Sequence, residues 1–162
     1  MGPIMHGMNI FEALRLSHDT QRALAAQLLA TEGDSPQRAR LFRELKHELA
    51  AHAGAEERCF YVPLIDHDES MALARHGIAE HHEMDEMVQE LNRTDPSSPG
   101  WIVHFRKLHD KIHHHLSDEE HAFFQLAGKV LSESEKTALA RQYEEEFADR
   151  RLGPMPLSSA EG

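Results

Sequence analysis

A single cysteine, Cys59, occurs in the 162 residues, which excludes an intrachain disulfide and a thiolate cage for a metal. Its simplest reading is a small buried hydrophobe. Glycine (9) and proline (7) are sparse, and aromatic or β-branched runs are missing. Ala, Leu, Glu, Arg, Met and Gln recur instead, the residues that lose least on entering a helix, so the fold class is all-α. No stretch approaches the roughly 20 consecutive apolar residues that span a bilayer. The first residues also lack the charged-then-apolar pattern of a secretory leader. These absences predict a cytoplasmic protein with no membrane partner. Positive charge is short as well: 17 Lys and Arg face 28 Asp and Glu, a net charge of -11. Phosphate backbones and anionic lipids bind clustered cations, so nucleic acid is not an expected partner.

What the chain has in excess is histidine, 14 in all, dispersed except for the runs His81–His82 and His113–His115. Its length suits one domain, expected over residues 9–151, followed by an aperiodic, disordered tail over 152–162.

Asn9 and Glu12 form the pattern of a capping box, after which Phe11, Leu14, His18, Ala25 and Leu28 share one stripe to about Thr31. Ser35 and Pro36 open a second helix whose stripe is Leu41, Leu45, Glu48, His52, Glu56 and Cys59. It is expected to run to about Tyr61, with Pro63 breaking the helical pattern just beyond. A third helix, capped by Asp66 or Asp68, carries Ile78, His81, Met84, Val88 and Leu91. After a Pro/Ser/Gly-rich loop, a fourth helix from Pro99 to Gly128 carries Phe105, Leu108, Ile112, His115, Glu119, Phe123 and Leu126. Ser132 and Glu135 start a shorter fifth helix. Short connections make sequential helices antiparallel neighbours, which predicts an up-down-up-down four-helix bundle with an additional short C-terminal helix.

The two halves repeat. His52-Ala-Gly-Ala-Glu56-Glu57-Arg-Cys-Phe60-Tyr61 matches His115-Leu-Ser-Asp-Glu119-Glu120-His-Ala-Phe123-Phe124 at an offset of 63, and the same offset carries His18 to His81. The repeat implies two helical hairpins related by a pseudo-twofold axis. At about 1.5 Å of rise per residue, His18, His52, Glu56, His81, His115 and Glu119 all fall roughly 9 to 20 Å from one end of the bundle.

Residues four apart share a helix face, so His52 with Glu56, and His115 with Glu119, each offer an imidazole and a carboxylate to one place. A bundle core holding two carboxylates beside four imidazoles needs a compensating cation, since an unpaired buried carboxylate costs on the order of several kcal/mol. Two carboxylates able to bridge, with imidazoles as terminal ligands, suit a pair of iron-type ions better than one tetrahedral zinc. The remaining histidines, such as His6, His47, His104 and His121, read as surface residues. His82 and Asp85 are candidates for extra ligands.

The ordered set His18, His52 to Glu56, His81, His115 to Glu119 resembles the hemerythrin-like family, in its HHE cation-binding branch. That resemblance implies two non-haem irons joined by an oxo or hydroxo bridge, with Glu56 and Glu119 bridging and the four histidines as terminal ligands. It also implies an open position for dioxygen or a related diatomic. True hemerythrins carry two histidines four apart on the third helix and an aspartate on the fourth; here Gly77 and Asp85 flank His81, and Glu119 replaces the aspartate. One iron is thus expected to have fewer nitrogen ligands. The resemblance points first to a protein that binds or senses dioxygen, a related small molecule or iron itself, with a di-iron oxidoreductase, peroxidase or iron-sulfur cluster repair-type protein as the alternative. The residues name no protein partner and leave pairing of two copies open. The expected neighbours of the site, Leu14, Ile78, Ile112 and Phe123, offer no proton donor, which favours binding a diatomic over cleaving it.

Overall fold

Asn9 opens the first helix as the sequence predicts: its side chain accepts the Glu12 N–H at 2.9 Å, and Glu12 Oε1 accepts the Asn9 N–H at 3.0 Å. The computed structural model describes residues 8–154, and among these it contains helices and no strand. In chain order the helices are α1 (Ile10–Leu29), α2 (Pro36–Glu56), α3 (Val62–Ile65), α4 (Asp68–Asn92), α5 (Pro99–Asp118), α6 (Phe124–Val130) and α7 (Glu133–Leu152). A π-helical turn over Glu57–Tyr61 joins α2 to α3, and a second over Glu119–Phe123 joins α5 to α6. His6 and the tail beyond residue 154 lie outside the described residues.

Four boundaries differ from expectation. Helical structure continues past Tyr61, because Pro63 falls in the first turn of α3 and the widened π turn before it relieves the clash with a carbonyl one α-turn back. Neither Asp66 nor Asp68 caps α4; His67 is the N-cap and makes no side-chain capping bond, while Asp68 and Glu69 lie in the first turn, where negative charge suits the helix dipole. Gly128 lies within α6, which continues to Val130. The fifth long helix is not short: α7 has 20 residues, as many as α1, and starts at the predicted Ser132–Glu135 capping box.

The long helices α1, α2, α4 and α5 form the four-helix bundle, and α7 packs against α1 and α2. Gly54 on α2 faces α7, and the Arg150 guanidinium occupies the space that a Cβ there would take. Two apolar clusters fill the interior. One gathers Leu14, Phe60, Tyr61, Phe123, Phe124 and Tyr143 at the end covered by α7, and the other gathers Leu28, Leu45, Leu91, Trp101, Phe105 and Ile112. Each fully buried large side chain contributes about 1.5–3 kcal/mol relative to exposure. Buried Arg38 secures the second end, donating to Thr31 Oγ1 at 2.9 Å, to the Thr31 carbonyl at 2.8 Å and to the Pro96 carbonyl at 2.7 Å. Between the clusters runs a polar layer that includes His18, His52, His81 and His115.

Candidate metal centre

Each bundle helix delivers its share of this layer at a buried stripe position: His18 from α1, His52 and Glu56 from α2, His81 from α4 and His115 from α5, with Glu119 opening the second π turn. Exposures of 0, 3, 0, 7, 2 and 0% place all six inside the fold. The His-x-x-x-Glu pairs come together as helical spacing requires, with His52 Nε2 3.4 Å from Glu56 Oε1 and His115 Nε2 3.7 Å from Glu119 Oε2. Both carboxylates also reach across the bundle: Glu56 Oε1 lies 3.1 Å from His81 Nε2, and Glu119 Oε1 lies 3.1 Å from His18 Nε2. Two overlapping groups of donors result, His18, His52, Glu56 and Glu119 in one and Glu56, His81 and His115 in the other, each with atoms within 4.8 Å of one another.

The chemistry of these atoms fits a cation. Of nine buried side-chain nitrogens and oxygens without a hydrogen-bond partner among the described residues, seven belong to this set: the Nε2 atoms of all four histidines, both Glu56 oxygens and Glu119 Oε1. Leaving a polar group buried and unpaired costs about 1–3 kcal/mol each. Lone pairs of four imidazoles and two carboxylates aimed at one volume are the arrangement that a borderline metal ion satisfies.

The other ring nitrogen of each histidine is held. The Nδ1 of His18 lies 2.7 Å from Glu120, that of His81 2.8 Å from Glu57, that of His115 2.8 Å from Glu80 and that of His52 2.8 Å from the Tyr143 hydroxyl. A carboxylate accepting an Nδ1–H fixes the ring and leaves Nε2 free to coordinate. Glu57 and Glu120 stand at the 63-residue offset visible in the repeat, but their role depends on α1 lying beside the second π turn and α4 beside the first. Tyr143, on α7, carries no such sequence signal.

Charge follows from these contacts. Burial pulls the His18 imidazole down, yet the Glu119 and Glu120 carboxylates outweigh it and hold its pKa up at about 9. Burial likewise opposes Glu56 and Glu57 at His81, which ends at about 10. Burial wins at His52, lowered to about 4. Burial and the neighbouring Glu56 raise Glu119 to about 7. The carboxylates around His18 and His81 thus favour the protonated rings in the metal-free protein, and a proton on Nε2 must leave before that nitrogen can bind a cation. Metal loading is expected to tighten as pH rises from 6 to 8, by roughly tenfold or more per unit, for each unit corresponds to about tenfold per proton displaced. Competition against a chromophoric chelator at three pH values measures this, and a flat profile contradicts it.

Tyr61 was not among the sequence candidates. Its hydroxyl donates to Glu119 Oε2 inside the site. Hydrogen bonds in a π turn run from i to i+5, so the widened turn brings Tyr61 back toward the face of Glu56, five residues earlier. An uninterrupted α-helix would turn it away. This corrects the expectation of a site without a proton donor, although Leu14, Ile112 and Phe123 are buried as expected. His82 and Asp85 are not among the grouped ligand atoms; they line a cleft of about 220 Å³ between α2 and α4 that reaches the edges of His52, His81 and His115. A third group, Glu80, His114 and Asp118, lies toward the surface, where Glu80 already bonds His115 and Lys111. Among the described residues, none of the remaining histidines is buried.

Comparison with known proteins supplies the family and the fold. A family model for the hemerythrin HHE cation binding domain matches residues 9–127. A crystal structure of a hemerythrin HHE cation binding domain-containing protein from Mycobacterium kansasii superposes with a TM-score of 0.81, covering 89% of this chain and 88% of that one at 23% identity, which shows a shared fold. A protein described as a DNA nickase from Nostoc sp. is 26% identical over 137 residues, 84% of this chain but 38% of its own length. No helix among the described residues is long and apolar enough to cross a membrane.

Proposed function

Because this chain belongs to the family of hemerythrin HHE cation-binding domains, we propose that it is a non-haem di-iron protein that binds or senses dioxygen or a related small molecule. The observation that carries this reading is the convergence of seven unpartnered buried ligand atoms from four helices and the second π turn. Glu56 and Glu119 would bridge, and His18, His52, His81 and His115 would be terminal ligands. A pair of irons there would supply a redox-active, Lewis-acidic centre with positions left for a diatomic.

The protein's own residues do the rest. Glu57, Glu80, Glu120 and Tyr143 hold the imidazoles in the orientation that coordination requires. The α2–α4 cleft gives a small molecule a route to three of the ring edges. Leu14 and Phe123 are buried in one apolar cluster and Ile112 in the other. The net charge of -11 argues against carrying the Nostoc protein's DNA substrate over to this domain. The free thiol of Cys59 and a reducible iron pair both suit the reducing cytoplasm.

The second reading, a di-iron oxidoreductase or peroxidase, is favoured by the Tyr61 hydroxyl in contact with Glu119. One experiment separates the two. Protein loaded with iron is expected to hold about two irons per chain, and a value near one or a preference for zinc sinks the di-iron reading. The reduced form is then exposed to oxygen and returned to anaerobic conditions over several cycles while its absorption is recorded. Restoration of the reduced spectrum supports binding or sensing, whereas irreversible oxidation with peroxide formed or consumed supports the oxidoreductase.

A further inference from the structure

The two halves of the centre are not equivalent, and two pairs of corresponding positions beside the ligands differ. At the 63-residue offset Tyr61 corresponds to Phe124, and Gly77 corresponds to Leu14. In one half, Phe124 stacks on His18 at 6.1 Å between ring centroids, and the fully buried Leu14 fills the adjoining space. In the other, Tyr61 packs against His81 at 5.4 Å, and α4 sends no side chain into the space beside it because residue 77 is glycine. A Cβ at Gly77 would lie 2.5 Å from Tyr61 Cζ and 2.7 Å from its hydroxyl oxygen. A glycine in the middle of a helix costs about 1 kcal/mol relative to alanine. Here it makes room for a phenol, one turn before His81, with its oxygen on Glu119 among the ligand atoms.

We propose that Tyr61 is itself a metal ligand, its phenol oxygen completing the position served by His81 and His115. The inference rests on the di-iron reading and deepens it. With Glu56 and Glu119 shared, each position has two imidazoles, and Tyr61 supplies one of them with a third terminal donor. That donor is an oxygen, a hard ligand that favours the oxidised state of iron over the reduced one. On ligation the O–H bond breaks, the proton passes to solvent and the electron pair stays on oxygen. Phe124 offers no counterpart, so the His18–His52 position keeps the open site for a small molecule.

The test uses the full chain loaded with ferric iron, as wild type and as the variants Tyr61→Phe and Gly77→Ala. Iron per chain and the visible absorption and resonance Raman spectra are measured on each. The wild type is expected to show a phenolate-to-iron charge-transfer band with tyrosine ring modes enhanced under it. Tyr61→Phe should lose both, whether it retains two irons or falls to about one. Gly77→Ala displaces the ring without removing it, and should shift the band or weaken it severalfold. Two irons in the wild type with no tyrosine modes, or the same band in Tyr61→Phe, overturns the assignment of Tyr61 and leaves the di-iron reading standing. Failure of the wild type to take up two irons overturns both.

Discussion

Alanine at position 56 is expected to cut metal uptake from about two ions per chain to fewer than one. Glu56 is the residue common to both donor groups, with its oxygens 3.4 Å from His52, 3.1 Å from His81 and 4.0 Å from His18, so neither group is complete without it. Glu119→Ala should act similarly. Glu57→Ala should leave the stoichiometry unchanged and weaken affinity about 10- to 100-fold, the usual consequence of removing a carboxylate that orients a ligating histidine. His104→Ala, at a surface position, should change nothing. Loss of ordered helix in metal-free Glu56→Ala would confound the result, and circular dichroism of that form decides it. Normal loading of a folded Glu56→Ala protein would remove the centre from between these helices.

Chelation should lower the midpoint of thermal unfolding substantially. The metal-free core keeps seven unpartnered polar atoms buried, whereas a cation that binds only the folded state adds its binding free energy to stability. At a free metal concentration a thousand times the dissociation constant the gain is about 4 kcal/mol. For a domain of this size that is a rise of roughly 10 °C in the midpoint. Calorimetry of loaded and chelated protein measures it, and superimposable traces would mean that the cation does not bind in the folded interior.

The bundle and the six clustered residues were legible in the sequence for a definite reason. Helical periodicity put His18, His52, Glu56, His81, His115 and Glu119 on apolar stripes, and the repeat placed them at one depth, where the structure brings them together. What the stripes could not reveal depends on departures from the regular helix. Tyr61 reaches the site through a π turn, and nothing in an α-helical count returns a residue five positions on to the same face. Pro63 reads as a break in an α-helical pattern because that pattern has no place for the turn that accommodates it. Tyr143 was hidden for another reason: its helix is polar over most of its surface, with Leu139, Ala140 and Tyr143 as its buried residues, so its contact with His52 is a property of docking and not of pattern.

Two of the four braces on the histidines cross between the two repeats. Glu120, from the second hairpin, holds His18 of the first, and Glu57, from the first, holds His81 of the second. Glu119 of the second hairpin likewise lies against His18, and Glu56 of the first against His81. Each hairpin thus contains one imidazole that the other orients, and neither contains a finished centre. Covalently the two are joined only by the short linker after Asn92 and before Pro99. A single proteolytic cut in that linker would yield two fragments without yielding two particles, because the ties that matter to the centre do not run along the backbone.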